Sequence, residues 1–259
     1  MSRTRAHLDN APLIRTELNM YWGDEGSSVL VRPSELKSLL SDSGQAAEYE
    51  WLIPMELLDG IGDGQDIYRS SYSVGQSRYS WTLGRGNLRL KCDETYQTWD
   101  AFRVEAIRIC EGLTALLEAQ NTDVASMTLQ YVDVFRSVHF GGKTAHDFLQ
   151  RDLGFALQIP AGLSYLREVE SANNCTYTIS REIQDNFAVH LNIGESPAFV
   201  DADSVVSEIS ALRRGIQGGE SKTAILEDLH QVTDNLFFSL VDPVSSRFES
   251  SRGGNDDLS

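Results

Sequence analysis

A chain of 259 residues with 41% hydrophobic and 23% charged residues has the composition of a globular protein, with enough apolar material for a sizeable core without disulfide or metal staples. Its 22 lysines and arginines stand against 38 aspartates and glutamates, and a net charge of −16 repels nucleic-acid phosphates and anionic membranes over most of the surface. The three scattered cysteines form no CxxC pair, and no apolar run approaches the ~20 residues of a membrane span, so a soluble protein of the reducing cytoplasm is expected.

Residues 1–10 are polar and are expected to be a flexible N-terminus. "LIRTELNMYW" (13–22) sets Ile14, Leu18, Met20 and Trp22 against Arg15, Glu17 and Asn19, with Thr16 interrupting the apolar side; period two predicts a strand. "RPSELKSLLSDSG" (32–44) reads as a short helix with Pro33 near its first turn and Leu36, Leu39 and Leu40 as its stripe. "IYRSSYS" (67–73), "RYSWTL" (78–83) and "NLRLK" (87–91) read as strands, the last two joined by the turn "GRGN". In residues 98–120, Phe102, Ala106, Ile109, Leu113, Leu116 and Leu117 recur at spacings of three and four, which predicts a long helix.

The pattern then begins again. A strand is predicted over 125–135 and a helix over 144–157, followed by strands over 163–170, 175–183 and 187–193. Val205, Ile209, Leu212 and Ile216 predict an amphipathic helix over 201–219, ended by Gly218 and Gly219. A closing helix covers 225–241, and the polar tail 248–259 is expected to be disordered. Strands arriving as hairpins with helices at the ends of runs argue for α+β, mainly antiparallel sheet with two long packing helices. The expected organisation is a first half over 11–122 and a second over 123–247, forming one compact unit. Both halves read strand, short helix, strands, long helix, so two pseudo-repeated halves are one reading; the other is an ordinary α+β chain that parses alike.

No P-loop, GxGxxG between strand and helix, GxSxG, HExxH or kinase motif is present. The five histidines are too scattered for an obvious metal site, so no cofactor or metal is expected. Asp133 shares the parity of Met127, Leu129, Tyr131 and Phe135, which places a carboxylate on an apolar face, where it is either paired or functional. His230 and Asp234 stand one helical turn apart, half of a general-base arrangement or simply a helix-side pair. His190 lies opposite in parity to Phe187, Val189 and Leu191, beside Asn192. With Thr176, Thr178 and Ser180 it makes a polar row, either a ligand face or the solvated side of a sheet. Asp133, His190, His230 and Asp234 are therefore the candidate catalytic or ligand-binding groups. Trp51 and the apolar side chains of 201–219 (Val205, Ile209, Leu212 and Ile216) are the candidate interaction surface.

The helix "TWDAFRVEAIRICEGLTALLE", the strand "MTLQYVDVF" and the closing "ILEDLHQVTDNLFFSLV" together resemble a sporadically distributed, functionally uncharacterised family of bacterial proteins of about this length. Trp99, Tyr131 with Asp133, and Leu229, His230 and Phe237 fall at that family's marker positions, while Asn192 departs from its tendency towards an aspartate-bearing strand end. The resemblance implies an α+β fold without an established activity, and a patchy distribution of the kind shown by accessory genes, including those of anti-phage defence. The expected function is a non-catalytic protein-interaction or sensor module of a bacterial accessory system, with a protein partner or its own copies as partner. The alternative is a small-molecule-binding protein or enzyme with a site between the halves, which requires Asp133, His190 and His230 to converge.

Overall fold

The computed structural model describes residues 12–23, 31, 34–35, 48–53, 65–93, 95–155, 176–184, 186–195 and 204–248. The elements in chain order are β1 (Leu13–Trp22), β2 (Glu48–Trp51), β3 (Asp66–Val74), β4 (Ser77–Gly84), β5 (Asn87–Cys92), α1 (Trp99–Glu118), β6 (Val124–Phe135), β7 (Thr176–Gln184), β8 (Phe187–Glu195), β9 (Val205–Arg214) and α2 (Lys222–Val241). Short helical turns at Ser137–Phe140, Ala145–Asp147 and Phe148–Asp152 follow β6, and a 3-10 turn at Asp242–Arg247 follows α2. The strands form one antiparallel sheet of nine in the order β2-β3-β4-β5-β1-β6-β9-β8-β7. The fold is α+β, as the hairpin pattern predicts.

β1 and β6 are the central pair. Outward from β1 lie β5, β4, β3 and β2, and outward from β6 lie β9, β8 and β7, so four strands flank the pair on one side and three on the other. Each run ends in a long helix on one common face: α2 packs over β6 and β9, α1 reaches β5, and the helices touch each other. Side-chain caps start both helices. Thr98 Oγ1 accepts from Ala101 N and Ser221 Oγ from Ala224 N, each at 3.2 Å, and such a cap is worth about 1 kcal/mol.

The helix-covered face is the core. Leu18, Met20, Leu90, Met127 and Leu129 from the sheet meet Phe102, Ile109, Leu113 and Leu229 from the helices, all without exposed surface. A second cluster gathers Phe135, Phe148, Ile209, Phe237 and Phe248 at the other end of α2. Tyr72 ties β3 to α1 by donating to Glu105 Oε2 at 2.9 Å, and burial pushes its phenol well above the ordinary value. The β4–β5 turn needs its glycines: Gly86 has φ of +75°, and a Cβ on Gly84 would lie 2.1 Å from Asn87 Oδ1 and 2.6 Å from the Gln65 carbonyl oxygen.

Two cysteines sit inside this core. Burial pushes the Cys92 thiol up to about 11 and the Cys110 thiol up to about 12, so neither is a thiolate near neutrality. A disulfide-exchange reagent at mildly alkaline pH is therefore expected to leave both unlabelled in the folded protein and to label both after denaturation, as read by peptide mass mapping. Labelling of either in the native state would contradict their burial.

The sequence reading needs two corrections. Residues 205–214 are strand β9, not a helix, because the segment fills the sheet between β6 and β8 and pairs with both. The helix expected over 144–157 is shorter, a turn of α-helix running into a π-turn that ends at Asp152. The short helix at 32–44, apart from residues 34–35, and the strand at 163–170 lie outside the described residues, as do residues 1–10 and nearly all of the tail. No helix among the described residues is long and apolar enough to cross a membrane.

Candidate functional site

Successive side chains of a strand point to opposite faces of a sheet. The register therefore sorts each strand into a helix-facing set and an outward set. One outward ladder crosses all nine strands, from Glu48 and Ser71 through Ser80, Lys91 and Glu17 to Gln130, Ser210, His190 and Ser180. Beside it runs a second ladder, Glu50, Arg69, Thr82, Arg89, Asn19 and Thr128. The polar row expected around His190 is thus one end of a band that continues into the first half, where it becomes rich in arginine.

On the β3, β4, β5 and β1 strands this face is hollowed into a groove of about 730 Å³. Arg15, Arg69, Arg78, Arg89 and Lys91 line it together with Glu17 and Asp93, and Asp66, Glu50 and Glu208 stand within 4.0 Å of Arg89, Arg69 and Arg15, so cations are concentrated there without a net excess. The hydroxyls of Ser71, Ser80 and Thr82 lie between them. In a chain of net charge −16, the groove gathers five of the 22 cationic side chains on one face.

The cations differ in how firmly they are held. Arg89 is clamped: its Nε donates to Asn19 Oδ1 at 3.1 Å and lies 3.3 Å from Glu17 Oε1, and its Nη1 lies 3.6 Å from Asp66 Oδ2. Asn19 in turn donates to Glu17 at 3.0 Å, which fixes the carboxylate. Lys91 pairs with Asp93 at 3.0 Å. By contrast, Arg69 reaches Glu50 only at 4.0 Å and Arg15 reaches Glu208 only at 3.9 Å, distances at which part-exposed pairs contribute little. The Arg15 Nε is buried and has no hydrogen-bond partner, and the side chain of Arg78 makes no ion pair among the described residues. The groove thus has a fixed floor at Arg89 and loosely engaged cations on both walls.

The sequence-predicted residues lie elsewhere. His230 is on the helix-covered side, with Nδ1 2.8 Å from the Tyr131 hydroxyl and Nε2 3.5 Å from Asp234 Oδ2. Its ring stacks on Trp99 with centroids 3.8 Å apart and planes 15° apart. Trp99 Nε1 donates to Glu227 at 3.3 Å, and Arg103 pairs with the same carboxylate. Tyr131 on β6 and His230 and Asp234 on α2 make a phenol–imidazole–carboxylate relay, and Trp99 brings α1 against it. Tyr131 is fully buried and Asp234 nearly so. Asp133 lies on the same face two residues along β6, fully buried and opposite Ser207 in register. His190 is on the other face, where its Nδ1 lies 2.8 Å from Ser180 Oγ, and the sheet separates it from Asp133 and His230. The three groups form no common pocket.

The expected interaction surface also divides. Val205 and Ile209 are fully buried because β9 is an interior strand, and Ile216, just beyond it, is nearly buried in the main core cluster. Leu212 is half-buried on the outward face. Trp51 is 43% exposed on the edge strand β2, with its ring edge-on to Tyr68 at 5.1 Å. Among the described residues no three His, Cys, Asp or Glu side chains are grouped to hold a metal ion.

Sequence reasoning missed the groove because its cations never form a run. The available signal was parity: in "LIRTELN", "YRSSYS", "SRYSWTL" and "NLRLK" the cation always sits opposite to the core-facing residues. What the sequence did not supply was the strand order that sets these positions side by side.

The fold and the groove define an α+β protein with one sheet face given to packing and the other, in its first half, to charge. No protein-family model and no curated protein sequence matches the chain.

Proposed function

We propose that this protein is a non-catalytic sensor module that binds an anionic small molecule in the groove on the outward face of its sheet. The observation behind this reading is the concentration of five cations in one groove of a strongly acidic chain, of which Arg15 and Arg69 are held only loosely and Arg78 makes no ion pair among the described residues. A concave site with convergent polar groups is the usual form of a small-molecule site, and its volume lies within the range of such pockets. No histidine or cysteine lines the groove. His230, the best-positioned imidazole, is committed to packing on the opposite side of the sheet. The carboxylates in the lining, Glu17 and Asp93, are engaged by Asn19 with Arg89 and by Lys91, so binding is the chemistry that these side chains favour.

Native mass spectrometry of the protein purified gently from its source tests the reading. A small bound anion is expected, retained at low salt and released at high salt, as screening of the arginines requires. A stoichiometric protein partner with no small bound mass would overturn it.

A further inference from the structure

We infer that the ligand of the groove is a short, elongated molecule carrying several linked phosphates, such as a linear polyphosphate chain. The inference rests on the groove being an anion site, as proposed above. Four of the five groove cations are arginines. Their planar forks hold phosphate oxygens in pairs, which an ammonium group does not do.

Their placement asks for an elongated charge. Arg69 and Arg78 stand on β3 and β4, Arg89 and Lys91 on β5, and Arg15 on β1. Neighbouring strands are ~4.8 Å apart and successive residues ~3.4 Å along a strand. Arg69, in register with Thr82, therefore stands four positions along β4 from Arg78, while Arg15 stands two strands from Arg78; a single phosphate meets only one of these. A row of phosphates running along β4 and β5 would meet Arg69 at one end and Arg78 with Arg15 at the other. Arg89, Lys91 and the hydroxyls of Ser80 and Thr82 would lie beneath it.

Competition favours phosphate over carboxylate. The wall arginines already have carboxylates within reach, Glu50 for Arg69 and Glu208 for Arg15. A ligand must displace these loose partners, and the higher charge of a phosphate chain does so where one more carboxylate would only exchange like for like. Nucleic acid fits less well. Tyr79 borders the groove only from beneath, because its ring is buried on the helix-covered face, so the lining offers no aromatic platform on which a base would stack. A polymer leaving the groove would also meet a strongly acidic surface.

The test is calorimetric titration of the full chain with inorganic tripolyphosphate, orthophosphate, citrate and a short single-stranded oligonucleotide. It is repeated on the Arg69→Ala/Arg78→Ala double variant, whose altered residues are exposed, and on Arg181→Ala, an exposed arginine of β7 outside the groove. The expected result is one tripolyphosphate per chain, bound more tightly than any of the other three. Each lost charge-assisted contact is worth about tenfold or more in affinity, so the double variant should lose on the order of a hundredfold, and Arg181→Ala should lose nothing. If citrate, orthophosphate or the oligonucleotide binds as tightly as tripolyphosphate or more tightly, and the double variant abolishes that binding, the polyphosphate assignment is overturned while the anion-binding reading stands. If no anion binds, or the double variant binds all of them as the native chain does, both fall.

Discussion

Replacing His230 with alanine is expected to lower the unfolding free energy by about 2–4 kcal/mol, whereas His190→Ala should change it by less than about 0.5 kcal/mol. The imidazole of His230 is held on three sides: Trp99 of α1 stacked on its face, the Tyr131 hydroxyl of β6 at Nδ1, and Asp234 one turn along α2. Stacking contributes about 0.5–1.5 kcal/mol beyond area, and a hydrogen bond to a buried hydroxyl about 1 kcal/mol more. Loss of the ring also removes apolar surface between the two helices. Tyr131→Phe isolates the hydrogen bond and should cost about 1 kcal/mol, with packing retained. His190 instead lies on the outward face, bonded to a hydroxyl of the edge strand β7, where water replaces the lost contact. Urea denaturation of the three variants supplies the comparison. Because the relay and the groove lie on opposite faces of the sheet, a folded His230→Ala protein should bind tripolyphosphate with unchanged affinity. A large loss of binding with small loss of stability would make the relay part of the ligand site.

How much of this was legible differs by level. Local structure was largely readable, because period two in 13–22 and 78–91 and period 3.6 in 98–120 and 225–241 follow directly from which face is buried. The burial of Asp133 was readable from the same parity, and it has no exposed surface. What pairs across the fold was not. Tyr131 and His230 are 99 positions apart, and their hydrogen bond depends on how α2 crosses β6. The groove depends on β1 pairing with β5, which sets Arg15 beside the strand that carries Arg89 and Lys91. Strand order is a product of long-range pairing, and no local spacing in the arginine-bearing segments encodes it. Charge misled for a related reason: a total of −16 describes the average surface, while a groove samples only the outward positions of four strands.

The segment 205–214 shows where local pattern alone fails, and its test is the second large effect. Val205, Ile209, Leu212 and Ile216 satisfy helical spacing, but Val205, Ile209 and Ala211 also share one strand parity, with Ser207 the polar break that hides it. Two β-branched valines at its start suit a strand, and tertiary pairing decides the matter, since β9 bonds to β6 along one edge and to β8 along the other. Ile209→Ala distinguishes the two conformations by sign and size. In an exposed amphipathic helix alanine is the better helix former and the cost of truncation would be small. In an interior strand, with Tyr131 and Leu191 on either side and no exposed surface, the same change leaves a cavity and should cost about 2–5 kcal/mol. Leu212→Ala, half-buried on the outward face, should cost clearly less than Ile209→Ala, whereas a helical stripe would make the two alike. Equilibrium urea unfolding of both variants decides it: a large loss confined to Ile209 fits a strand that lies inside the sheet between β6 and β8.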